Sequence, residues 1–110
     1  MRGCLVKKSL RELSTGFVSF IFSEYLPETR KVLEGMVNEA ENYLKGIGIK
    51  VVSASPVYEL NDVDRAINEL KREDFDFITG VIPSWLDPSL VVAVLKEFLH
   101  KPILLWCLPS

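Results

Sequence analysis

Short apolar runs alternate with amphipathic stretches along most of this chain, and this alternation narrows its fold more than any motif does. Hairpins would join their strands through short turns, whereas βα units need a helical crossover between each pair of parallel strands. Residues 17–22, Phe-Val-Ser-Phe-Ile-Phe, are aromatic and β-branched and read as a first strand. Between residues 28 and 45, Val32, Leu33, Met36, Val37, Ala40, Tyr43 and Leu44 recur at helical spacing, and Gly46-Ile47-Gly48 supplies the stop.

Residues 49–52 give a second strand. Asn61 is placed to cap the next helix, with Asp62 and Asp64 in its first turn, where the helix dipole favours negative charge. Val63, Ala66, Ile67 and Leu70 then make one stripe toward the sheet. Residues 75–81 form a third strand. Asp87 caps a third helix with Pro88 at its first position, and residues 90–99 are so continuously apolar that a helix covered on more than one side is expected. Residues 103–107, Ile-Leu-Leu-Trp-Cys, show no polar alternation and predict a fourth strand buried on both faces, with Cys107 inside.

The order is βαβαβαβ. Right-handed crossovers distribute the helices over both faces of a doubly wound, parallel, four-stranded sheet, an α/β fold with strand order 2-1-3-4. At 110 residues the chain suits one domain, read as residues 17–110 behind an extension of residues 1–16. Doubly wound sheets commonly continue past a fourth strand, but the pattern ends at Pro109-Ser110. The expectation is an edge protected by a partner, or a place within something larger.

Composition excludes several classes of function. A formal net charge of -2 gives no long-range attraction for phosphate backbones, so nucleic acid is not the expected partner. Arg2, Lys7, Lys8 and Arg11 interrupt the first apolar pairs, unlike a signal peptide, and no segment reads as a membrane span, so a cytoplasmic protein is expected. Cys4 and Cys107 have no metal-ligand spacing and read as unpaired thiols in a reducing compartment.

In such sheets ligands bind beyond the carboxyl ends of the strands, here the loops at residues 23–27, 53–58 and 83–87. None carries GxGxxG or GxxxxGK[ST], so nothing points to a dinucleotide or a nucleoside triphosphate. A receiver domain fails on residue types, because the third strand ends Val81-Ile82-Pro83 where an aspartate is needed. Glu24 is a lone loop carboxylate, more simply a solvated group than a general base. His100, the only histidine, complements the end of the third helix and has no second histidine for a common metal set. Glu73, Asp74 and Asp76 lie at the opposite end of the sheet and read as a solvated turn. Trp85, with Ser84 beside it and Tyr25 and Tyr58 in neighbouring loops, is the side chain best suited to stack on the apolar face of a sugar or another ligand; packing against a neighbouring loop or subunit is the plainer alternative.

The run Pro83-Ser84-Trp85, the later Glu97-Phe98-Leu99-His100-Lys101-Pro102-Ile103-Leu104-Leu105-Trp106, and Pro56-Val57-Tyr58 resemble the amino-terminal region of the L-fucose isomerase and L-arabinose isomerase-like family. The likeness runs from Phe17 onward. It implies a flavodoxin-like, Rossmann-like domain that helps assemble an oligomer and lends a tryptophan and an arginine to a neighbouring subunit's sugar pocket. Trp85 matches that tryptophan, whereas residues 23–28 hold no counterpart of the arginine. The family's ketol isomerases use manganese, and the resemblance places its ligands in later domains, so no cofactor is expected here. Aldose isomerisation needs a base or hydride path and an electrophile fixed on both substrate oxygens, commonly a metal, which one histidine and scattered carboxylates do not build. The expected role is therefore non-catalytic: a homo-oligomer, or association with a chain carrying the missing domains. The alternatives are a stand-alone sugar or small-ligand module and a subunit of a split aldose-ketose isomerase.

Overall fold

The computed structural model describes residues 13–83 and 88–107. In chain order it comprises β1 (Ser14–Ser19), α1 (Pro27–Gly46), β2 (Lys50–Ser53), α2 (Val63–Leu70), β3 (Phe77–Ile82), α3 (Pro88–Leu95) and β4 (Ile103–Cys107). Short 3-10 turns at Leu60–Asp62 and Lys96–Phe98 precede α2 and follow α3. The strands form one parallel sheet in the order β2-β1-β3-β4, the α/β topology that the alternation predicts. No helix among the described residues is long and apolar enough to cross a membrane.

β1 begins three residues before the expected start because Ser14, Thr15 and Gly16 pair on both sides, with Lys50, Val51 and Val52 of β2 and, from Thr15 on, with β3. The Thr15 hydroxyl lies 2.7 Å from that of Thr79 and donates toward the Phe77 carbonyl at 3.0 Å, so these buried hydroxyls are satisfied in the dry centre. Gly16 is required by close packing: a Cβ there would come within 2.6–2.9 Å of the Phe75 ring.

α1 opens on Pro27, whose missing N–H costs nothing at the first helical position. It closes where Gly48 adopts φ 100° and donates to the Lys45 carbonyl. Its buried side chains Leu33, Val37, Ala40 and Leu44 pack on Phe17, Ile21 and Val81, and each large one contributes about 1.5–3 kcal/mol. Val32 and Tyr43, expected in the same stripe, stay 64% and 61% exposed.

α2 and α3 cover the opposite face, over Val18, Phe20, Val52 and Ile78. Asn61 does not cap α2. It sits inside the 3-10 turn, and Asp62 organises this segment by accepting the N–H groups of Tyr58 and Glu59. α3 is covered on one side only: Leu90, Val94 and Leu95 are buried, while Val92 is 62% exposed, because a helix layered on a sheet has a single inward side. The expected cap Asp87 lies outside the described residues.

At the amino end of the sheet, Glu73 pairs with Lys50 at 2.8 Å, Asp74 with Lys101 at 2.9 Å, and Asp76 accepts the Ser14 N–H at 2.8 Å. The lysine hydrogen bonds hold the Glu73 and Asp74 carboxyls below the usual carboxylate range. The acidic turn thus fastens strand ends to one another. His100 is exposed just past the 3-10 turn after α3.

β4 departs most from expectation. Ile103, Leu104 and Leu105 are 39%, 44% and 51% exposed, and Cys107 is exposed as well. α1 is the only described helix on its face; it lies toward β2 and meets β4 through Tyr43, edge-on to Trp106 with ring centroids 6.0 Å apart. No described element pairs with the strand's far side.

Candidate functional site: a cleft at the strand ends and an open sheet edge

Past β1 the pairing resumes as a single bridge between Phe20 and Val57. Ile21 N–H donates to the Val57 carbonyl at 3.0 Å, and Val57 N–H to that of Ser19 at 2.9 Å. This bridge sets Tyr58 beside the loop that leaves β1, at the carboxyl end of the sheet. Phe22 and Ser23 from that loop, Tyr58, Glu59 and Leu60 after β2, and Ser89 and Leu90 from the first turn of α3 line a cleft of about 300 Å³. It combines two aromatic rings with hydroxyl and carboxylate groups, the composition of a site for a small polar ligand with an apolar face.

Tyr58 is the best fixed of these groups. Its hydroxyl donates to the Glu34 carboxylate, and the Arg30 guanidinium lies 4.9 Å from its ring centroid. Burial first, then the hydrogen bond to Glu34 and the charge of Glu34, push the phenol up to about 12 against the opposing effect of Arg30. Tyr58 therefore remains a neutral, oriented ring at physiological pH and is no general base, which would need a pKa near the working pH.

Of the residues singled out in the sequence, the structure brings Tyr58 into the cleft. Tyr25 stands one step away, edge-on to Phe22 at 5.4 Å. Ser84 and Trp85 lie outside the described residues. Glu24 is exposed. Arg30 and Glu34, which hold Tyr58, escape a reading based on loops and apolar stripes. Their signal is a spacing of four in the first turns of the helix that leaves β1. Among the described residues no three His, Cys, Asp or Glu side chains converge as a metal set.

The second candidate is the β4 edge. Ile78 N–H donates to the Pro102 carbonyl at 2.9 Å, and Ile78, Gly80 and Ile82 are in register with Ile103, Leu105 and Cys107. In a parallel ladder this turns the main-chain groups of Leu104 and Trp106 toward β3 and those of Ile103, Leu105 and Cys107 outward. No described side chain bonds these outward groups. Beside them Tyr43, Leu44, Leu104, Leu105, Trp106 and Cys107 line an open groove of about 420 Å³ along the strand.

The opposite edge is covered at its carboxyl end. Arg72 donates to the Ser53 carbonyl at 3.0 Å; Arg65 donates to those of Ser55 and Pro56 at 3.3 and 2.8 Å; and Ser55 N–H donates to Glu69 at 2.9 Å. No protein-family model, no curated protein and no solved structure matches this chain.

Proposed function

We propose that this chain is a non-catalytic association domain, related to the amino-terminal domain of cytoplasmic ketol isomerases of carbohydrate metabolism. It works by docking its open sheet edge against another chain and by lending the aromatic side chains at its strand ends to a sugar site. The observation that carries this reading is the uncharged β4 edge, apolar on both faces and unpaired on its outer side among the described residues. Such an edge is a template for strand pairing, and free-standing proteins blunt theirs with charge, proline or a covering element. The relation to isomerases rests on the sequence resemblance around Pro83-Ser84-Trp85 and residues 97–106.

The test is photo-crosslinking in cells from a benzophenone amino acid placed at Leu104. The expected result is a defined adduct whose second member is another copy of the chain or a chain carrying metal-binding isomerase domains. Absence of any adduct, in a protein that remains folded, overturns the reading.

The cleft at Phe22 and Tyr58 favours a second reading, a module for sugars or similar small ligands. Calorimetry with L-fucose, L-arabinose and their alditols should then show binding that is lost in Tyr58→Ala and in Trp85→Ala. No heat at millimolar ligand rules it out.

A further inference from the structure

We infer that the partner of the β4 edge is a second copy of this chain, joined antiparallel about a two-fold axis at Leu105 to make one continuous eight-stranded sheet. This inference rests on the association reading above and names its occupant.

The outward groups of Ile103, Leu105 and Cys107 recur at every second residue. With the axis at Leu105, Leu105 faces its own copy and Ile103 faces the partner's Cys107, so each outward residue meets an outward residue. All three pairs are of the hydrogen-bonded type, and about six backbone bonds satisfy every free group of the strand. Centring on Leu104 or Trp106 instead leaves one of the three without an outward-facing mate within the strand.

The side chains agree with the same register. Trp106 lies on the α1 face against Tyr43. Leu104 shares that face by alternation, while Leu105 points to the α3 face, 3.3 Å from where a Cβ on Gly80 would sit. Across the two-fold axis, Leu104 opposes the partner's Trp106 in the closely spaced, non-hydrogen-bonded position, twice. Aromatic–aliphatic pairs in that position are favourable. No residue of β4 is charged, so the pairing sets no like charges against each other. The strand alone is small against the roughly 800 Å² per partner of a stable interface, and Tyr43 and Leu44 of α1, which line the groove beside it, add apolar surface.

The contrast with β2 points the same way. Arg65, Glu69 and Arg72 occupy that edge, so it has no outward carbonyl to offer at Ser53 or Ser55. A two-fold pairing uses the β4 edge of both copies and so closes on itself as a dimer.

Sedimentation of the purified full chain should give twice the 12.5 kDa chain mass at micromolar concentration. Leu105→Pro removes an N–H that points away from β3, so the monomer fold tolerates it, while dimerisation should weaken roughly 100-fold. Circular dichroism checks that this variant is folded. Independently, Ile103→Cys in a Cys4→Ser background should oxidise to a covalent dimer linking position 103 to the partner's Cys107, the separation of a hydrogen-bonded pair lying within disulfide range. A chain that sediments as a monomer at every concentration overturns self-pairing; Leu104 adducts to a different chain would then still uphold the association reading. A dimer indifferent to Leu105→Pro, with no 103–107 link, overturns the β4 register.

Discussion

At the β2 edge of the sheet the outward carbonyls of Ser53 and Ser55 are held by Arg72 and Arg65, whereas at the β4 edge the outward groups of Ile103, Leu105 and Cys107 meet no described side chain. Both are parallel edge strands of one small sheet, so the difference is not one of topology. It comes from the helix that each strand leads into. The connection after β2 turns back through α2, and α2 carries Arg65 and Glu69 four residues apart, with Arg72 just beyond its end, where they reach the strand they have left. β4 has no such helix among the described residues. How open a sheet edge stands thus depends on a few long polar side chains from the neighbouring helix.

The largest effect expected from breaking this contrast is at β2. Removing both guanidinium groups in Arg65→Ala with Arg72→Ala strips the Ser53, Ser55 and Pro56 carbonyls of their donors, which water partly replaces, and should cost about 0.5–1.5 kcal/mol in urea unfolding. Species larger than a dimer should then appear on sedimentation, since both edges are open. Unchanged stability and mass would show that the arginines do not guard the edge.

A smaller effect is expected at β4. Leu104→Lys places a charge on a residue already 44% exposed, so monomer stability at high dilution should change by no more than about 0.5 kcal/mol, while self-association is lost. The buried neighbour gives the reference point: Ile78→Ala, in a strand of similar composition, should cost about 2–5 kcal/mol. Comparable losses at both positions would mean that β4 is covered within the monomer.

The smallest effect leaves both edges alone. Glu34→Gln leaves the burial that is the largest cause of the raised Tyr58 phenol and removes the carboxylate that adds to it, so the late tyrosinate absorbance step near pH 12 should move part of the way down, with sedimentation unchanged. A phenol whose pKa is raised by folding contributes its stability fully below the unfolded value near 10, and the contribution is lost as pH rises through about 12. Wild type should therefore lose stability between those values more steeply than Glu34→Gln.

Periodicity carries the fold well because strands and helices bury their residues at different intervals, and all four strands and three helices stand near their expected places. What periodicity does not carry is the identity of the covering surface. Ile-Leu-Leu-Trp-Cys reads as fully buried whether the cover belongs to the same chain or to another, so the exposure of β4 and of Cys107 is invisible in the sequence. β1 starts early because Ser14, Thr15 and Gly16 look like turn chemistry until Thr79 and Phe75 are set against them. In the cleft, Tyr58 was legible from its loop, but Arg30 and Glu34 sit on a helix whose polar residues ordinarily face water.

The central place of β1 has a consequence for how the molecule is made. Its apolar residues leave the ribosome before the rest of the sheet, yet one of the two strands that flank it begins only at Phe77. Through most of the domain's synthesis the nascent chain therefore holds a half-finished hydrophobic ribbon whose second neighbour does not yet exist. Long-range parallel pairing of this kind closes slowly. During that interval the exposed apolar ribbon and its unpaired edge are open to association off the folding path.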